Sequence, residues 1–423
     1  MRYVPHTQND QAALLNSIGK ASVDNLFSEI PEKVRFKAPL PLPPSLSEPE
    51  LIEALVALSK KNRKASSFLG GGSYPPFIPS LVKHLVGRAE FFTAYTPYQA
   101  EISQGLLQAI YEYQSMLCEL TGMEVANASM YDGATALAEA ALLAARTTRR
   151  EEVVVSSALN PEYRKVLATY AKGASLNIKA VPYNKLSGQT ADPASFVSEK
   201  SACFILQQPN FFGCLENIPG VAEKLHARGA LFILAVDPIS LGLLKSPGEL
   251  GADIAVGEGQ SLGNSPSFGG PGLGIFAVKS ALARQVPGRI VGETIDSHGK
   301  RGFCLTLQTR EQHIRRERAT SNICSNEALA ALAATIYLSY LGKNGIRTIA
   351  EHCLQKANYL KERLRDRLVF SAATFKEFVL KTDRAVGLPL GTFYPELSSC
   401  RLLCSNELVK KEELDSLVKS IGA

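Results

Sequence analysis

Three stretches of this 423-residue chain carry residue types able to do chemistry. The first is Phe91-Phe-Thr-Ala-Tyr95-Thr96-Pro-Tyr98-Gln99-Ala-Glu101-Ile-Ser-Gln-Gly. Its phenol hydroxyls, amides and carboxylate could line a polar pocket, and the same residues also suit a capped helix preceded by an aromatic staple. The second is Ser129-Met-Tyr-Asp132-Gly133-Ala-Thr135-Ala-Leu-Ala-Glu-Ala. A Gly-Ala-Thr turn entering an alanine-rich helix offers free N–H groups to an anion such as phosphate, whereas an aspartate N-cap explains the same residues without a ligand. The third runs from Ala235-Val-Asp237-Pro into Ala252-Asp-Ile-Ala-Val-Gly-Glu-Gly-Gln260-Ser-Leu-Gly-Asn-Ser-Pro-Ser-Phe-Gly-Gly-Pro-Gly. An aspartate closing an apolar strand is costly unless it is paired.

The third arrangement matches that of pyridoxal-phosphate (PLP) enzymes built on a doubly wound sheet. There an aspartate holds the pyridinium nitrogen and a lysine after the next strand carries the cofactor as an imine. Here Gln260 stands 23 residues after Asp237, at the place of that lysine. An amide cannot form an imine. Lys245 follows Asp237 closely and Lys279 lies past the glycine-rich loop, so neither is placed to substitute.

The elements that would position these stretches alternate between about residues 63 and 310. Helical periodicity covers Glu101 to Leu120, Asp132 to Ala145, Pro161 to Ala171 and Val221 to Ala227. Between them lie apolar strands at Val153–Ser156, Cys203–Gln207, Leu231–Val236 and Ile254–Val256. Short apolar strands separated by helices predict βαβ units and a mainly parallel sheet covered on both faces. Ligands of such sheets bind beyond the carboxyl ends of the strands. Residues 1–62 read as an arm: two short helical stretches, a proline-rich segment from Lys37 to Pro49 that suits extended chain, and a helix capped at Ser47. From residue 312 to 423, two strong helices (Glu327–Tyr340 and Ile346–Arg365), a few short strands and a final helix predict a smaller α+β domain.

Composition narrows the function further. The net charge of +6, from 46 basic and 40 acidic residues, is too small for a nucleic-acid binder. Residues 276–320 hold nine Lys or Arg against four Asp or Glu, including Arg310, Arg315, Arg316 and Arg318. That patch suits a solvated helix face, a docking surface for an acidic partner, or support for a phosphate. No run of 18 apolar residues indicates a membrane span, and the first residues lack a signal peptide's apolar core, so a cytoplasmic protein is expected. The eight cysteines (Cys118, Cys203, Cys214, Cys304, Cys324, Cys353, Cys400, Cys404) are scattered. They form neither a disulfide framework nor a metal-ligand pattern, so reduced thiols and no metal site are expected.

Four long stretches carry a resemblance to a known family: residues 92–105, Ala126 to Ala140, Ser240 to Asp253, and Leu305-Thr-Leu-Gln-Thr-Arg-Glu-Gln-His-Ile-Arg-Arg-Glu. The chain resembles the P-protein of the glycine cleavage system, glycine decarboxylase, and specifically the first (alpha) subunit of its split, two-chain form. The resemblance implies a PLP-dependent transferase of fold type I, active as an α2β2 heterotetramer whose second subunit binds PLP covalently. Against that subunit's His-Lys motif, Gln260 falls at the lysine position, so no covalent cofactor and no catalytic residue of its own is expected in this chain. Asp132, Gly133, Thr135 and Asp237 would then mark a vestigial cofactor pocket. Tyr95, Thr96, Tyr98, Gln99 and Glu101 would line the partner's site. The implied reaction is aminomethyl-transferring glycine dehydrogenation: glycine is decarboxylated, with PLP as electron sink, and its aminomethyl group passes to the lipoyl arm of the H-protein. The chain departs from the family pattern at Ala100, where proline is usual, at Asn160, where histidine is usual, and in a shortened segment between Asp383 and Gly387. Two other readings use the same residues: a non-catalytic scaffold or regulator of PLP-enzyme fold, and an independent PLP enzyme using Lys245 or Lys279.

Overall fold

A computed structural model describes residues 5–36, 38, 40–62, 65–323 and 325–422; Cys324 lies outside these. The chain divides into two compact units, Met1–Ala65 and Ser66–Ala423.

In the first unit, α1 (Gln8–Ser17) opens on a Thr7–Asp10 capping box and α2 (Glu48–Ser59) on a Ser47–Glu50 box with Pro49 in its first turn. Two short 3-10 turns, Val23–Phe27 and Glu32–Val34, lie between them. None of the unit's described residues is buried. Leu14, Ile18, Phe27, Leu42 and Leu55 are all exposed, so its helices rest on capping rather than on a core of their own.

The second unit is built on a seven-stranded sheet. Its strands are β1 (Val125–Ala126), β2 (Glu152–Ser156), β3 (Asn177–Val181), β4 (Ser201–Gln208), β5 (Leu231–Val236), β6 (Ile254–Glu258) and β7 (Gly274–Val278). The order is β1-β7-β6-β5-β4-β2-β3. Pairs from β3 to β6 are parallel, and β7 runs antiparallel to both β6 and β1. Successive side chains alternate between faces, and both faces are covered, which is why the central strands are apolar on both faces through their middles. Val153, Val155, Ile205, Ile233, Val256 and Phe276 form one core with the small residues of α6 (Gly133–Thr148). Val154, Phe204, Leu206, Phe232 and Leu234 face the other way, onto α8 (Val221–His226).

The other helices of the unit are α3 (Ser80–Val86), α4 (Ala89–Phe92), α5 (Gln104–Thr121), α7 (Pro161–Gly173), α9 (Gln312–Arg315), α10 (Ala328–Arg363) and α11 (Lys411–Gly422). Helix α5 ends at Gly122, whose φ of 66° only glycine adopts cheaply. The two C-terminal helices expected from the sequence are both present within α10 and meet at Gly342, whose backbone (φ 59°, ψ −173°) is not helical. The first half of α10 packs Ala330, Ala334 and Tyr337 with Ile275 and Ala277 of β7. A hairpin of β8 (Ile290–Ile295) and β9 (Arg301–Thr306) lies on α5 through Leu107, Ile110, Val291 and Phe303. A small antiparallel sheet, β10-β12-β11, joins Glu377–Lys381, Cys400–Cys404 and Leu388–Pro389. The shortened segment after Asp383 simply turns back into β11, which pairs with β12 at Leu388–Leu402.

Four features differ from the sequence expectation. Residues 100–102 form a 3-10 turn, and α5 starts only at Gln104, whose side-chain amide donates to Ala100 O and Phe303 O. Strand β3 was not expected because it is an edge strand whose first four residues are exposed. The β8–β9 hairpin is exposed towards its turn, at Glu293–Ile295 and Arg301, and was not expected for the same reason. The basic segment around Arg315, Arg316 and Arg318 is an irregular, exposed chain of short turns rather than a regular helix. The seven described cysteines are free thiols. Among the described residues no helix is long and apolar enough to cross a membrane, and no cluster of three His, Cys, Asp or Glu is placed to hold a metal.

Candidate functional site

Strands β2, β4, β5 and β6 run parallel, so their carboxyl ends open at one edge of the sheet, where such folds place their ligands. Asp237 follows β5 there. Its Oδ1 accepts from Ile239 N at 3.1 Å, capping a short 3-10 turn. Its Oδ2 lies 2.6 Å from the ammonium of Lys376. Lys376 immediately precedes β10 in the small sheet, and its side chain is 4% exposed. The ammonium also sits over the Tyr74 ring, 3.5 Å from its centroid. Burial works against this charge, but Asp237 together with the buried Cys404 and Cys353 overcomes it and pushes the lysine above its usual range. The cation demanded by an aspartate at a strand end is therefore present, supplied from the C-terminal part of the chain.

Glu377, next to Lys376, is buried as well. It accepts from Gly71 N at 2.7 Å and from the Tyr74 hydroxyl at 2.8 Å. Burial raises its carboxyl to about 6 against the pull of Lys376 and these donors. Gln260 lies two residues beyond β6 and is also buried. Its amide pairs with the Tyr74 backbone in both directions, accepting from Tyr74 N at 3.1 Å and donating to Tyr74 O at 3.0 Å. The residue at the lysine position thus fastens the segment that carries Tyr74.

At the other end of the pocket, Asp132 caps α6: its Oδ1 accepts from Thr135 N at 2.7 Å, and Thr135 Oγ1 accepts from Asp132 N at 3.2 Å. The N–H of Gly133 points to the carboxylate of Glu258, at 2.9 Å. Glu258 also accepts from Leu273 N at 2.8 Å and Gln260 N at 2.9 Å. Burial raises this carboxyl, opposed by the three backbone donors. A side chain at Gly133 would fall 2.3 Å from the Tyr163 hydroxyl, so only glycine lets the helix end come this close. A helix N-terminus favours an anion, and here the chain's own carboxylate occupies it.

The remaining void among Tyr74, Asn160, Gln207, Asp237 and Glu258 measures about 30 Å³, room for little more than water. Asn160 is held in its wall by Gly71 O, 3.0 Å from its amide nitrogen. These residues do not fit PLP. No amine stands at Gln260, an ammonium holds the aspartate, and a carboxylate fills the helix N-terminus. Lys245 is exposed and Lys279 pairs with Asp253 at 2.6 Å, so neither lysine lines the void.

The aromatic loop lies elsewhere. Tyr95, Thr96, Tyr98 and Gln99 line a cleft of about 740 Å³, whereas Glu101 is exposed outside it. Tyr95 is 82% exposed. Tyr98 is tethered: its hydroxyl accepts from Arg289 Nη2 at 3.2 Å and its ring meets the guanidinium at 5.4 Å. The structure thus separates the two sets of sequence-selected residues. Asp132, Gly133, Thr135, Asp237 and Gln260 cluster around the closed pocket, while the tyrosine loop faces outward. Sequence reasoning missed Lys376, Glu377, Tyr74, Glu258 and Arg289. One signal for the first two was a Lys-Glu pair inside the apolar run Phe375–Leu380.

A mostly parallel sheet with its site at the strand carboxyl ends, helices on both faces and a small C-terminal sheet is the architecture of fold type I PLP-dependent enzymes. A sphingosine-1-phosphate lyase from Burkholderia pseudomallei shares the fold, with a TM-score of 0.65 at 14% identity over 93% of this chain and 94% of that one. Residues 1–420 match the glycine cleavage system P-protein family, and the chain belongs to it. A crystal structure of glycine decarboxylase (P-protein), in inhibitor-bound form, superposes with a TM-score of 0.89 at 43% identity, over 99% of both chains. Two relatives called probable glycine dehydrogenase (decarboxylating) subunit 1 are each 50% identical over the whole chain. One, from Anoxybacillus flavithermus, is covered to 98% of its length, and the other, from Desulforamulus reducens, to 100%.

Removing either partner of the Lys376–Asp237 pair strands a buried charge. Lys376→Met and Asp237→Asn should each lower unfolding free energy by about 3–5 kcal/mol in urea titrations. The double variant should recover most of that loss, and strict additivity would show the pair to be uncoupled. Glu377 sets a pH dependence. Its folded value of about 6 lies above the usual 4.5, so its contribution is fully present below pH 4.5 and is lost as pH rises through 6. Relative to the wild type, Glu377→Gln should therefore gain about 2 kcal/mol between pH 4.5 and 6.5. A constant difference across that range would contradict the assignment.

Proposed function

We propose that this chain is subunit 1 of glycine dehydrogenase (decarboxylating), the member of a two-chain enzyme that carries no cofactor itself. The observation that carries this reading is a pocket without its lysine, filled by the chain's own Lys376 and Glu258, within a chain that matches subunit 1 relatives from end to end. A fully matched chain with a closed pocket suits a division of labour, in which a second subunit supplies the lysine that binds PLP. That cofactor serves as electron sink for glycine decarboxylation, and the lipoylated H-protein receives the aminomethyl group. The working assembly is an α2β2 heterotetramer in the cytoplasm.

Within it we assign three parts. Residues 1–62, with their exposed apolar side chains, offer a surface to the partner. Residues 63–311 carry the sheet and the outward loop, and residues 312–423 deliver Lys376 to the closed pocket. In the loop, Tyr95, Thr96, Tyr98, Gln99 and Glu101 line the partner's site, their hydroxyl and amide groups orienting the substrate. The exposure of Tyr95 and the anchored ring of Tyr98 support this, since a side chain reaching another subunit is uncovered in the isolated chain. The scaffold reading explains the closed pocket equally but not an exposed loop of tyrosines and amides with one ring held by Arg289.

Co-expression with the lysine-bearing subunit from the same source should give a stable complex that releases CO2 from glycine, dependent on lipoylated H-protein. In that complex, Tyr98→Phe with Gln99→Ala should lower glycine–bicarbonate exchange by at least about tenfold, the loss of one or two positioning hydrogen bonds. Unchanged exchange would remove the loop from the site, and a complex without CO2 release would favour the scaffold.

A further inference from the structure

Beside the outward loop, a second cleft of about 270 Å³ opens between the loop and the start of α10. Its walls are Phe91, Tyr95, Pro97 and Leu332, and its polar end holds Thr96, Asn326 and Arg289. Arg289 is 3% exposed, and its Nε has no hydrogen-bond partner among the described residues. A buried guanidinium with an unmet donor costs free energy unless something completes it. Its surroundings do not. Arg310, 8% exposed, donates from its guanidinium to Val286 O, and among the described residues its Nε and Nη2 are unpartnered. Both arginines act on the single carboxylate of Glu311, which is 7% exposed and leaves Oε1 unpartnered. His313 lies 3.6 Å from that carboxylate and edge-on to Tyr98, at 5.8 Å between ring centroids. Two buried guanidinium groups thus share the field of one carboxylate, with the Tyr98 hydroxyl holding Arg289 at the cleft wall.

We propose that the Arg289 cleft is a binding site for a small oxyanion, a carboxylate or a phosphate, held by Arg289, which Tyr98 positions from outside the cleft. The charge surplus selects an anion, and the planar guanidinium suits the paired oxygens of a carboxylate or phosphate. The aromatic walls limit the ligand to a small group, since the cleft is at the low end of small-molecule sites. The site is distinct from the closed pocket, where the chain supplies its own anion and cation, and it stands whether or not the loop serves a partner subunit.

The test is a thermal-shift titration of the full chain with acetate, glycine and inorganic phosphate, each at constant ionic strength against chloride. A saturable rise in melting temperature with acetate and glycine but not phosphate assigns a carboxylate site, and a rise with phosphate assigns a phosphate site. Arg289→Gln should abolish the rise. Because loss of a buried arginine can unfold the chain, Tyr98→Phe provides the second reading: its ring keeps its contacts, and binding should weaken about fivefold. Glu311→Gln, which removes the competing carboxylate, should instead tighten binding by a similar factor. No saturable shift with any of the three anions, or shifts that Tyr98→Phe and Glu311→Gln leave unchanged, would overturn the site.

Discussion

The ion pair between Lys376 and Asp237 ties the small sheet to the strand ends of the large one. Burying both charges is costly, and Coulomb attraction repays that cost only with close geometry and further contacts. Both are present: a 2.6 Å separation and the Tyr74 ring against the ammonium. Glu377 then anchors the Gly71–Tyr74 segment, and Gln260 grips the same segment from β6. One buried pair therefore sets the start of β10, the course of residues 71–74 and the closure of the pocket.

The pocket's electrostatics follow from this pair and from Glu258. A cofactor with a cationic ring and an anionic phosphate would satisfy an aspartate at one end and a helix N-terminus at the other. The chain meets both requirements internally, with an ammonium and a carboxylate at the same two ends. Replacing Gln260 with lysine would not by itself reopen the space. The outward loop is the opposite case: its tyrosines are exposed, Arg289 tethers Tyr98, and unmet buried donors gather behind it.

Much of this was legible in the sequence, for physical reasons. Strands buried on both faces read as continuous apolar runs, so β2, β4, β5 and β6 stood out, whereas edge strand β3 and the β8–β9 hairpin, half exposed, did not. Asp237 announced that it needed a cation, but sequence could not say which. Lys245 and Lys279 were nearer along the chain, and the partner arrived from a different sheet. The Gly-Ala-Thr turn was legible as an anion site, yet its occupant, Glu258, looked like one more polar residue in a glycine-rich loop. Asp132 proved to be an ordinary N-cap. For the loop at 95–101, its aromatic and amide content was visible while its tether was not, because Arg289 immediately precedes a hairpin whose existence the pattern did not disclose.

The central claim is that this chain closes its own cofactor pocket and leaves PLP to a partner. Its most direct test is the PLP content of the purified two-subunit complex, released by denaturation and measured against protein. One PLP per pair of subunits is the expected result. Two per pair, with one lost when this chain's Asp237 is replaced by alanine, would contradict it.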